Sequence, residues 1–150
     1  MKTVYTAVME RLKTRVPALK WIDLDTGQLE SGSGEGDRPA VAFPCALVTI
    51  GVTRSSDITD LIQDCEARIA IRIAFDQQMR TNAAAPAQAI NVGLTPYAII
   101  ADVYSALQGY GTVNFDPLSR ISQGKENGRN GLFIYRIEFR TTFEDQTASL

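Results

Sequence analysis

The chain of 150 residues contains no histidine. Histidine is the commonest general base and the commonest metal ligand of proteins, so most hydrolytic and metal-dependent sites are unavailable to this sequence. The serines and cysteines have no partner in the sequence that would activate them as nucleophiles. We therefore predict no catalytic residue, no metal site and no cofactor, and we expect a protein that is not an enzyme.

Cysteine is also scarce, since only Cys45 and Cys65 are present and they form no C-x-x-C motif. Both lie in apolar, strand-like segments, where a cysteine usually acts as a small buried hydrophobic side chain. We predict two reduced thiols in a cytosolic protein. A disulfide is the alternative if the two strands are neighbours.

An excess of one charge is missing as well. The chain has 15 Lys and Arg against 17 Asp and Glu, which gives a formal net charge of −2. This balance gives no indication of binding to nucleic acid or to an anionic membrane. Charged residues interrupt the apolar stretch at the N-terminus, and we find no apolar run long enough to span a bilayer. We expect one soluble domain over residues 1–150, with no membrane partner.

The strongest pattern in the chain covers residues 65–75, read C-E-A-R-I-A-I-R-I-A-F. Every odd position is apolar, whereas Glu66, Arg68 and Arg72 occupy even positions. A period of two predicts a β-strand with one face on a core and a charged face on the other side. Its length, well above the usual five or six residues, is typical of a platform rather than of a pocket.

Residues 132–143 repeat this pattern, with Arg136, Glu138 and Arg140 at even positions. If the two strands pair antiparallel, opposite charges can lie across from each other and contribute about 0.2 to 1 kcal/mol per pair. Two interpretations stay open: a solvated outer face, or a subunit interface in which charge pairs set the register. The candidate interface residues are Glu66, Arg68, Arg72, Arg136, Glu138 and Arg140.

Two helices are predicted on either side of the first long strand. Residues 2–16 place apolar side chains four positions apart, as in an amphipathic helix. Thr95 and Pro96 resemble an N-cap and a first helical position, and they predict a helix over residues 96–107. Residues 40–52 are almost continuously apolar and predict a strand covered on both faces. The sequence thus predicts an α+β fold, with a mixed, mostly antiparallel sheet of long strands packed against two helices.

Several connecting segments have their own composition. Residues 30–38 contain three glycines and no apolar residue, so we predict a mobile loop. The loop lacks the G-K-[ST] of a phosphate-binding loop. Residues 76–94 are rich in Ala, Gln and Asn and predict a long loop that becomes ordered on a partner. In residues 54–64 the opening S-S-D predicts a turn, and residues 58–62 fit either a helical turn or the lead-in to the long strand.

Two further segments are typical of turns and short strands. Residues 20–24 predict a short strand, and the D-T-G-Q that follows is a turn sequence. D-T-G also occurs in aspartic proteases, but the hydrophobic strand and second copy needed there are not convincing here. Residues 118–121 predict a short strand, and the Asn-Gly pairs within residues 124–131 predict a hairpin into the closing strand.

In this order of elements, the chain resembles the tail terminator or tail completion proteins of long-tailed bacteriophages and related prophages. The resemblance covers most of the chain but includes no tight motif. It is carried by residues 3–16, the entry R-P at 38–39 and F-P-C-A-L-V at 43–48, and residues 66–75, 96–107 and 135–145.

The resemblance implies a structural virion protein with no catalytic residues. Such a subunit assembles as a ring, usually of six copies, on the head-proximal end of the tail tube, stops tube growth and joins tail to head. Its partners would be further copies of itself, the tail tube protein and the head-tail connector protein, and DNA would pass through without specific binding. The protein would assemble in the host cytoplasm and end in the virion tail. Alternatives are a head completion or tube protein, or a small cytosolic ligand-binding module.

Overall fold

The computed structural model describes residues 1–30, 39–76, 83–128 and 131–150. The elements in chain order are α1 Lys2–Arg15, β1 Trp21–Leu24, β2 Cys45–Asp57, β3 Gln63–Phe75, α2 Ala87–Leu107, β4 Ser119–Glu126 and β5 Phe133–Asp145, followed by a 3₁₀ turn at Thr147–Ser149. A mixed five-stranded sheet carries α1 and α2, which confirms the predicted α+β class.

The strand order in the sheet is β1-β2-β3-β5-β4. Only the β1–β2 pair is parallel, and the other three pairs are antiparallel. The two long strands with alternating patterns, β3 and β5, pair along their whole length, from Gln63 opposite Asp145 to Phe75 opposite Phe133. The two strands thus form the antiparallel pair that the sequence analysis considered as one possibility, and β3 is the central strand of the sheet.

The main core lies between the helices and one face of the sheet. The odd positions of β3 from Cys65 to Phe75, which include Ile69, Ile71 and Ile73, are all buried there, as the alternation predicts. Phe139 of β5 and Leu12 of α1 are fully buried against them. Since burial of each large apolar side chain stabilises the fold by about 1.5 to 3 kcal/mol, these strands and helices hold together mainly through this layer.

A smaller apolar cluster lies on the other face, at the end of the sheet where β2 begins. It contains Leu29, Cys45, Leu47, Ala74, Leu132 and Ile134, with Val41 and Phe43 packed against it. Only residues 45–48 of β2 are buried on both faces, and the strand is exposed or half-buried from Thr49 onward. The predicted double coverage of residues 40–52 is thus correct for these four residues and wrong beyond them.

The β2–β3 connection differs from the prediction. Residues 55–57 are not a turn but part of β2, with Ser55 opposite Cys65 in the antiparallel ladder. The reversal takes place over residues 58–62, where the Ile58 amide donates to the Ile62 carbonyl at 2.8 Å. Cross-strand pairing with the strongly alternating β3 extends β2 through this polar segment, because local turn preference is weaker than a complete ladder.

The second helix begins earlier than predicted. α2 starts at Ala87 and contains Pro96, and the Thr95 hydroxyl donates to the Asn91 carbonyl at 3.3 Å instead of capping a helix start. Alanine, glutamine and leucine in this stretch favour helix, which explains the extension. The prediction of a partner-dependent loop over residues 76–94 is therefore wrong for its helical part, while residues 77–82 lie outside the described part. The glycine-rich residues 31–38 also lie outside it.

α2 is long and apolar enough by length and composition to cross a membrane, which was not expected from the sequence. In the structure Ile100, Val103, Ala106 and Leu107 from its C-terminal half are buried in the main core. We therefore interpret α2 as a core helix.

The two cysteines are free and buried, as predicted. Cys45 belongs to the smaller cluster and Cys65 to the main core, so they lie on opposite faces of the sheet. Cys45 is opposite Ala74 of β3, nine positions from Cys65, or about 30 Å along the strand. This separation excludes the alternative of an intramolecular disulfide.

The Cys45 thiol gives the fold a specific response to alkaline pH. Burial is the largest effect and raises the pKa of Cys45 to about 11 from the ordinary 9.0, although the positive charge of Arg72 opposes it. Between pH 9 and 11 the unfolded chain loses the thiol proton while the folded chain retains it, so the free energy of unfolding falls by up to about 1.4 kcal/mol per pH unit. We expect Cys45→Val to remove this component, as measured by urea denaturation across that range. Identical pH slopes for the variant and the wild type would contradict the assignment.

Candidate functional site

The face of the sheet opposite the helices carries all six candidate interface residues. We call it the charged face and define it by Glu66, Arg68, Arg72, Arg136, Glu138 and Arg140. Alternation in β3 and β5 places these side chains on one side, because their neighbours at odd positions enter the main core. Neither α1 nor α2 covers this face, since both pack on the main core.

Arg72 is the centre of an ion-pair cluster on this face. Its Nη1 lies 3.1 Å from Asp25 Oδ2, its Nη2 lies 2.6 Å from Glu30 Oε1, and its Nε lies 2.7 Å from Glu126 Oε2. The Arg72 side chain is only 15% exposed. Burial by itself lowers the pKa of Arg72, but the hydrogen bonds to Glu30, Glu126 and Asp25 outweigh it and the pKa is raised.

The cluster joins parts of the chain that are distant in sequence. Arg72 lies on the central strand, with β2 and then β1 on one side and β5 and then β4 on the other. Asp25 follows β1 directly, and Glu126 is the last residue of β4. One guanidinium therefore connects the central strand with both edge strands, and its fork of donors suits three carboxylates.

The three acidic partners of Arg72 were not predicted as site residues. Asp25 belongs to the D-T-G turn, which is confirmed, since its Oδ1 accepts from the Gly27 amide at 3.0 Å and Gly27 has a φ of +88°. Glu30 borders the glycine-rich segment, and Glu126 precedes the hairpin into β5. The local pattern at each position shows only a turn or loop, and no signal in the sequence connects them to a residue on β3.

The other five residues of the charged face form a looser arrangement. Glu138 Oε1 lies 4.0 Å from Arg68 Nη1 and 3.8 Å from Arg136 Nη2. Glu66 Oε1 lies 3.7 Å from Arg68 Nε. Arg68 and Arg136 are 42% and 43% exposed, so these contacts are worth little for folding.

Directly opposed positions of β3 and β5 do not hold opposite charges, in contrast to the arrangement considered from the sequence. Arg72 is opposite Arg136, and Arg68 is opposite Arg140, whereas Glu138 is opposite Ala70 and reaches the arginines diagonally. Directly opposed like charges are unfavourable. Within the described part of the chain Arg140 has no ion pair and is exposed. The loosely paired part of the face therefore carries three arginines against two glutamates and suits an acidic surface.

Among the described residues, no group of three or more His, Cys, Asp or Glu side chains could hold a metal ion. Three of the surface grooves measure about 160, 250 and 390 Å³, at or below the lower end of the usual range for small-molecule sites. Through its charges, the charged face can orient a protein partner of complementary charge and select it over other partners.

No protein-family model matches this chain, and no curated protein is similar to it. Twenty-three chains of solved structures do match. One of them belongs to the virion of a native gene transfer agent (GTA) particle, with a TM-score of 0.53 and 16% sequence identity, and the alignment covers 95% of each chain. At this identity the likeness shows a shared fold over nearly the whole length.

Because Arg72 is the centre of the ion-pair cluster, we predict that its replacement has a large effect on the free energy of unfolding. Arg72→Met would leave the carboxylates of Asp25, Glu30 and Glu126 close together without their cation. We expect a loss of about 2 to 4 kcal/mol in the free energy of unfolding, below the loss for a fully buried pair because Glu30 is half exposed.

Arg140→Met is the matched control, because it removes an exposed arginine of the same face that has no ion pair within the described residues. It should change the free energy of unfolding by less than about 0.5 kcal/mol. Urea denaturation with an unchanged m-value measures both effects. Equal losses for the two variants would contradict the central role of Arg72.

Proposed function

We propose that the chain is a structural component of a phage-like particle. The observation that carries this proposal is the fold likeness to a chain of the gene transfer agent virion, which extends over 95% of both chains. The charged face supports it, because a broad surface with exposed arginines fits protein assembly better than catalysis.

Within such a particle we propose the role of a tail terminator or tail completion protein. The subunit would form a ring, commonly of six copies, that caps the tail tube and joins it to the head. Its partners are other copies of the chain, the tail tube protein and the head-tail connector protein. It assembles in the host cytoplasm and ends in the tail of the particle. The net charge of −2 suits a ring through which DNA slides without specific binding.

A head completion or tail tube protein is the second candidate within the same class. Long strands with free edges also occur in subunits that polymerise, and beyond residues 45–48 β2 has no partner in β1. A tube protein would form open-ended polymers on its own, whereas a terminator would form closed rings or wait for a finished tube. Electron microscopy of the purified chain distinguishes the two.

Deleting the gene from its phage or prophage tests the proposed function. A terminator limits the tube and provides the surface for the head, so its loss should give tails of uncontrolled length or tails without heads. Electron microscopy of the particles measures both. Normal infectious particles from the deletion strain would contradict the proposal.

The charged face generates a second prediction in the same strain. Arg140→Glu reverses an exposed charge that has no ion pair within the described residues, so folding should be unaffected. If the face meets an acidic partner, complementation by this variant should fall at least tenfold in infectious particles, because a glutamate at this position would repel that partner.

The matched control for Arg140→Glu is Lys2→Glu, which makes the same change of charge on α1, away from the charged face. It should complement like the wild type. Full complementation by Arg140→Glu would exclude this part of the charged face as an interface.

A further inference from the structure

The loop between β2 and β3 carries exposed apolar side chains in a fixed arrangement. We call residues 57–64 the hairpin tip. Ile58 and Leu61 are 55% and 54% exposed. The Thr59 hydroxyl accepts from the Ile62 amide at 3.1 Å, and Gln63 Nε2 donates to Asp57 Oδ1 at 2.9 Å. A loop held by its own hydrogen bonds loses little entropy on binding, so the hairpin tip is suited to contact a partner.

The hairpin tip is also strongly acidic. Asp57, Asp60 and Asp64 lie on it, and Glu144 and Asp145 lie beside it at the end of β5. No lysine or arginine occurs in residues 55–67 or in residues 141–150. The partner of this surface should therefore combine apolar side chains with positive charge.

A surface that combines apolar side chains with positive charge lies in the same subunit, at the opposite end of the sheet from the hairpin tip. The groove between α1 and β1 has a volume of about 390 Å³ and is lined by Met9, Lys13, Lys20 and Trp21, among others. Trp21 is 40% exposed. Arg15 adds a further positive charge in the last turn of α1, against the single carboxylate of Glu10 in the groove.

The groove and the hairpin tip are too far apart to meet within one molecule. Trp21 pairs with Cys45 at the start of β2, whereas the tip begins at Asp57, the last residue of that strand. The 13 residues of β2 span roughly 40 Å. Two different complementary surfaces at opposite ends of a subunit give head-to-tail contacts, which form a ring when the rotation closes.

We infer that the hairpin tip of one subunit docks in the groove between α1 and β1 of a second copy of this chain. Ile58 and Leu61 would contact Trp21, while the aspartates of the tip face Lys13 and Lys20. The inference rests on the self-assembly that the proposed function includes, and it names the surfaces that make the contact.

A disulfide trapping experiment tests the contact directly. Cys45 and Cys65 are 0% and 2% exposed, so the native thiols do not compete with new surface cysteines. The variant Asp60→Cys with Lys20→Cys places one thiol at the tip and one at the groove. Under oxidation it should give a ladder of covalent multimers on non-reducing gels.

The control variant carries Asp60→Cys with Lys2→Cys, which moves the second thiol to the other end of α1. It should give no ladder beyond dimers. A second readout is the fluorescence of Trp21, the single tryptophan of the chain. Its emission should shift to the blue as the wild-type protein assembles, and Leu61→Asp should remove this shift.

The outcomes separate the contact from the proposed function. Oligomers seen by light scattering without a ladder in the Asp60→Cys, Lys20→Cys variant would overturn the contact and leave self-assembly intact. A monomer at every concentration, with no ladder, would also overturn the contact, while the deletion experiment decides the proposed function independently. A ladder equally strong in the control would show that the trapping is nonspecific and overturn the inference.

Discussion

The guanidinium of Arg72 is the interaction on which the arrangement of this sheet depends. It projects from the central strand and binds three carboxylates, from the residue after β1, from Glu30 and from the end of β4. The edge strands β1 and β4 have 4 and 8 residues, and each pairs with only one neighbouring strand among the described residues. Because the Arg72 cation contacts carboxylates beside both edge strands, it fixes the position of β1 and β4 relative to β3. The same charge faces the thiol of Cys45 and connects the cluster with the smaller apolar core.

Arg72 also divides the charged face into two parts. Around Arg72 the charges form short-range ion pairs, which stabilise the fold. Beyond it, Arg68 and Arg136 are held loosely by Glu66 and Glu138, Arg140 has no ion pair within the described residues, and all three arginines remain available to a partner. The proposed assembly then uses surfaces that folding leaves exposed: the loose arginines, the acidic hairpin tip and the groove beside Trp21. This separation lets a subunit of 150 residues have a stable core and several contact surfaces.

The sequence predicts the parts of this structure that depend on local periodicity. Alternation in β3 and β5 predicts most of their length and their buried face, and the apolar spacing of four predicts α1. Long-range pairing explains what was missed. Residues 55–57 continue β2 because β3 offers a complete ladder, and α2 continues through Pro96 because the residues before it favour helix. The acidic partners of Arg72 each lie in a turn or loop pattern, so only the folded chain brings them together.

The role that we propose for this chain is to end the growth of a tail tube. In the most direct measurement, the purified chain is added to tail tubes while they assemble in an extract of the deletion strain. Electron microscopy then measures the tube lengths, and an antibody against the chain shows where it is bound. The account predicts a narrow length distribution with the antibody at one end of each tube. Unchanged lengths, or antibody distributed along the whole tube, would contradict it.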